Sequence, residues 1–62
     1  MTAQQFGAFN LLEHYLEQAQ KHAVELARSD DARLKSLAGM VHGAATGLLR
    51  DVIRLVEESK VD

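Results

Sequence analysis

Sixty-two residues with no cysteine, no proline and a formal net charge of −2 rule out several kinds of protein. A chain this short buries only about 60% of its unfolded surface, and without thiols it has neither a disulfide frame nor a thiolate zinc centre, which leaves oligomerisation as the ordinary way to gain stability. The weak acidity gives no general attraction to nucleic acid or anionic lipid, and 26% charged with 47% apolar residues is the balance of a folded domain, not of a disordered tail.

The chain opens with Thr2 and, three residues on, Gln5, the spacing of a capping box that starts a helix. Phe6, Phe9, Leu12, Leu16, Ala19, Ala23 and Leu26 follow in steps of three and four, the period of one helical face. Ala8, Tyr15 and His22 lie on one shoulder of that stripe, with Asn10, Glu13, Glu17, Lys21 and Glu25 opposite. The pattern predicts a first helix over about 3–28.

Ser29, Asp30 and Asp31 interrupt it with three residues that cap helices better than they fill them. The acidic pair also suits the positive end of a new helix. A turn at 29–30 and a second helix over about 31–59 follow; a single bent helix is the rival reading.

In the second helix Leu34, Ala38, Val41, Ala45, Leu48, Val52 and Leu55 alternate steps of four and three, the seam of a helix packing along its length. Leu37, Ala44, Leu49, Ile53 and Val56 widen the seam until the apolar arc covers roughly half the circumference. One neighbouring helix covers less than that. The expectation is therefore one all-α domain over 1–62, an antiparallel two-helix hairpin that dimerises into a four-helix bundle. The core and dimer positions are Phe9, Leu12 and Leu16 on the first helix, and Leu34, Val41, Leu48, Leu49, Val52, Ile53, Leu55 and Val56 on the second. A fold at Ser29–Asp30 sets Leu16 opposite Gly43–Ala44, Leu12 near Leu48 and Phe9 near Val52 or Ile53. Ser59–Asp62 are expected to fray.

Few residues suggest chemistry. His14, His22 and His42 titrate nearest neutrality, but no two of them stand four apart. Neither His-Glu-x-x-His nor Glu-x-x-His occurs. Glu13 and Glu17 share a helical face, yet a two-helix chain has little concavity in which to desolvate them. No catalytic, cofactor or metal residue is assigned, no small-molecule substrate is evident, and the chain is not expected to be an enzyme. The longest uncharged run, Ser36–Leu49, has 14 residues, short of the ~20 that a membrane span needs. With no signal sequence at its start, the chain is expected in the cytoplasm.

Gly39, Gly43 and Gly47 need a reason. A glycine inside a helix costs about 1 kcal/mol relative to alanine, so three cost about as much as a small domain's entire stability of roughly 3–5 kcal/mol. Their spacing of four puts them on one strip, which Arg50 and Arg54 continue. Three readings compete: glycines tolerated beside locally paired arginines, a second helix docked closely along the strip, or a phosphate ligand. The functional expectation is a small non-enzymatic regulatory or adaptor protein, homodimeric, binding a protein partner in preference to nucleic acid. The alternative is a small dimeric RNA- or DNA-binding accessory protein using Arg33, Lys35, Arg50 and Arg54.

Overall fold

The computed structural model describes residues 1–59. Two helices, α1 (Ala3–Ala27) and α2 (Ala32–Glu58), form an all-helical hairpin closed by the connection at 28–31 and packed along its length. It measures 49 × 14 × 11 Å. The two-helix reading holds and the single bent helix does not. Each predicted helix end moves by no more than one residue. Of the segment expected to fray, only Ser59 lies within the described residues, and it caps α2 with extended backbone.

Side chains fix the helix ends. Thr2 Oγ1 accepts from the Gln5 backbone N–H at 3.1 Å, and Gln5 Oε1 accepts from the Thr2 N–H at 2.9 Å. These two bonds satisfy donors that the first turn of a helix leaves free. At the connection, Arg28 and Ser29 close α1 with N–H bonds to the Glu25 and Leu26 carbonyls at 3.2 and 3.0 Å. Such three-residue closures tighten a last turn without a left-handed residue, which explains why no glycine is needed there. Ser29 Oγ then accepts from the Asp31 N–H at 3.1 Å, and Asp31 Oδ1 accepts from the Arg33 N–H at 2.8 Å.

The fully buried residues are small. Ala23, Ala38 and Ala45 are 1–4% exposed, and among the described residues no larger side chain is buried. Phe6, Phe9, Leu16, Leu49, Val52, Ile53 and Val56 are half-buried toward the open end of the hairpin. Alanines hold the helices close near the turn, and the larger side chains fill the other end. Replacing Ala45 with leucine is expected to lower stability by about 1–3 kcal/mol, the usual effect of overpacking a close contact; urea denaturation of the variant checks it.

A fold at 29–30 sets Gln20 level with 39–40, yet Gln20 Nε2 donates to Thr46 Oγ1 at 2.9 Å. Helical side chains lean toward their own N-terminus. Gln20 therefore leans away from the turn and Thr46 leans toward it, and between them they span the offset. Thr46 Oγ1 in turn donates to the His42 carbonyl at 2.7 Å.

Candidate interaction surface

The seam read from α2 divides in two. Ala38 and Ala45 are buried and Val52 is half-buried, whereas Leu34, Val41, Leu48 and Leu55 are exposed, as is Leu37. At about 100° per residue, the side of α2 that meets α1 centres on Ala38, Ala45, Leu49 and Val56. The exposed apolar residues centre about 75° round from it. On α1 the corresponding exposed residues are Leu12, Tyr15 and Leu26, with Ala8 and the half-buried Ala19 between them.

These two stripes share one side of the hairpin. On both helices the exposed stripe is displaced from the inward side in the same rotational sense along the sequence. An antiparallel pair reverses the direction of travel, so equal displacements bring both stripes to the same face. The result is one continuous apolar face. Its eight large side chains, three from α1 and five from α2, are 40–63% exposed and present roughly 700 Å² of surface, close to the ~800 Å² per partner of a standard protein interface. The chain exposes 4673 Å², against roughly 4000 Å² for a folded monomer of its mass.

The glycine strip lies elsewhere. Gly43 and Gly47 face away from α1, Gly39 borders it on the side opposite the apolar stripe, and a Cβ built on any of the three meets nothing within 4 Å. Nothing within the chain requires glycine there. Arg50 is exposed, and Arg54 reaches Asp51 at 3.8 Å with both side chains largely in solvent. Of the expected core and dimer positions, Phe9, Leu16, Leu49, Val52, Ile53 and Val56 face inward, half-buried. Leu12, Leu34, Val41, Leu48 and Leu55 lie on the open face, and the glycines and arginines occupy a separate side.

On the side opposite the apolar face, near the turn, a shallow cleft of about 250 Å³ opens over Ala23, Ala27, Ala38 and Gly39, edged by Val24, Lys35 and His42. It had no signature in the sequence, because it depends on which alanines of the two helices meet.

The titratable groups are dispersed. His14 sets its ring edge against Tyr15 at 5.5 Å, and His22 Nδ1 lies 3.4 Å from Glu25 Oε2 on an exposed surface. Among the described residues, no three metal-ligating side chains gather, and no helix is long and apolar enough to cross a membrane. Comparison with known protein families, known sequences and solved structures gives no match.

Proposed function

We propose that this chain is a small non-enzymatic regulatory or adaptor protein that acts through helix-mediated protein–protein contact, with a homodimer as its working form. Two hairpins close their apolar faces together as a four-helix bundle and leave the opposite faces for another macromolecule. One observation carries the reading: a continuous apolar face as long as the hairpin, in a chain whose fully buried residues, among those described, are three alanines. Soluble monomers rarely expose a contiguous apolar patch larger than a few hundred Å². Covering about 700 Å² on each of two chains gives an interface of standard size, enough apolar burial to offset the roughly 4–15 kcal/mol that association costs in lost freedom. A cysteine-free chain also suits a reducing compartment such as the cytoplasm.

Light scattering and circular dichroism over a dilution series test this. The expected result is twice the chain mass at micromolar concentration, with helicity falling as dilution separates the chains. A fully helical monomer at every concentration would overturn the reading.

A further inference from the structure

The cleft beside the turn exists because small residues of both helices meet there. Ala23 and Ala27 of α1 and Ala38 and Gly39 of α2 form its floor, with Val24, Lys35 and His42 round the edge. Space is also free above Gly39, where an added Cβ meets nothing within 4 Å. The hollow of about 250 Å³ is smaller than the roughly 300–1,000 Å³ of sites for drug-sized ligands. It is larger than the ~150 Å³ apolar cavity that takes up a benzene ring. Its size is that of one ring with a short arm. It lies opposite the apolar face, so a second copy seated on that face leaves it open.

The edge supplies charge. Lys35 and His42 are exposed, and among the described residues neither the Lys35 ammonium nor the His42 ring enters an ion pair. A lysine in such a wall covers apolar surface with its stem and holds its ammonium at the water's edge. At about 100° per residue, Lys21 and Arg28 stand within about a turn of Val24 on that side of α1, and Glu17 two turns away. Other carboxylates nearby are engaged or turned aside. Asp31 accepts from the Arg33 N–H at 2.8 Å and lies 3.5 Å from its guanidinium, and Glu25 points round the back of α1 near His22. Lys21, Arg28 and Lys35 are therefore set against Glu17 and Asp30, a net positive balance before His42 is counted. The C-terminal end of α1 and the N-terminal end of α2 lie together at the turn and offset each other, so side chains set that balance. We infer that the cleft binds a small apolar monocarboxylate, a one-ring compound whose body lies on the alanine floor and whose carboxylate meets the Lys35 ammonium. Lys35 is the one permanent cation in the edge itself, which suits a single carboxylate. A nucleotide exceeds the hollow in size and in charge, and a cationic ligand is repelled. The inference does not rest on the dimer proposed above.

Phenylacetate is the probe, followed through the amide chemical shifts of the isotope-labelled protein. Saturable shifts are expected around 23–27 and 35–42, with a Kd of about 1 mM, as suits a ligand of about ten non-hydrogen atoms on a shallow site. Phenylacetamide keeps the ring and lacks the charge, and is expected to bind about threefold more weakly, the effect of an exposed ion pair. Lys35→Gln should weaken phenylacetate by the same factor, and added salt should shrink both differences. Gly39→Leu fills the hollow from a helix that gains propensity by the change. It should abolish binding while circular dichroism shows both helices intact. No saturation well above the expected Kd overturns the site, as do shifts centred on the apolar face or persisting in Gly39→Leu. Equal binding of the amide, or undiminished binding by Lys35→Gln, overturns the carboxylate. Tighter binding of N-acetyl-Gly-Gly-Phe than of phenylacetate overturns the small-molecule ligand in favour of a partner protein's C-terminus.

Discussion

Replacing Gly39, Gly43 and Gly47 together with alanine is expected to stabilise the protein by about 3 kcal/mol, at about 1 kcal/mol for each position. The gain comes from the unfolded chain, which loses more freedom at glycine than at alanine when the helix forms. The folded side raises no objection, because each new methyl enters open space and no glycine has a positive φ. For a chain of this size the thermal midpoint should rise by roughly 12–24 °C, read by circular dichroism at fixed concentration. The strip lies outside the face assigned to the second copy, so the mass in solution should not change. The variant also separates two accounts of the glycines. If a further helix docks along bare backbone there, the three methyls hold it off and that partner is lost. A more stable protein that keeps every partner would mean that the glycines are merely tolerated.

The second large effect is expected at the apolar face. Leu48 is 56% exposed in the single chain, and in a lone hairpin Leu48→Arg should change stability by no more than about 0.5 kcal/mol, as surface substitutions usually do. In the proposed bundle the same arginine would be buried among leucines without a counter-ion, at a penalty of several kcal/mol per chain. Assembly should fail, and because a chain with so small a core is marginal alone, most helicity should go with it. Asn10→Arg, on the opposite face of α1, is the control and should alter neither. Sedimentation and circular dichroism of both variants decide the matter, and a Leu48→Arg protein that stays folded at unchanged mass would remove the face from consideration.

The helices were legible because their signals are local. Thr2 with Gln5, and Asp31 after Ser29, announce helix ends through bonds that span two or three residues, and no distant group has to be known. The inward side of α2 was not legible. Its apolar arc covers half the circumference, so Leu34, Val41, Leu48 and Leu55 read as seam just as well as Ala38 and Ala45. Only the placement of α1 separates them, and α1 sits against the smaller residues because alanine lets two helices approach most closely. Gln20 and Thr46 carried no signal either, since a polar pair 26 residues apart looks like two solvated side chains until the register is known. That the three glycines share one strip of α2 follows from their spacing of four alone. What docks on it is a property of a second molecule, and one chain's periodicity holds no record of that.

The connection at 28–31 has a consequence of its own. It reverses the chain with no left-handed residue among the described positions and without proline, so no residue in it is sterically barred from an uninterrupted rod, although Ser29, Asp30 and Asp31 favour helix ends. The hydroxyl of Ser29 and the carboxylate of Asp31 cap the bend, and the packing of α1 on α2 holds it closed. If those two side chains were removed, two molecules would be free to straighten and exchange their second halves, reproducing each interhelical contact in an intertwined pair. On this account Ser29 and Asp31 favour each half folding back upon its own chain.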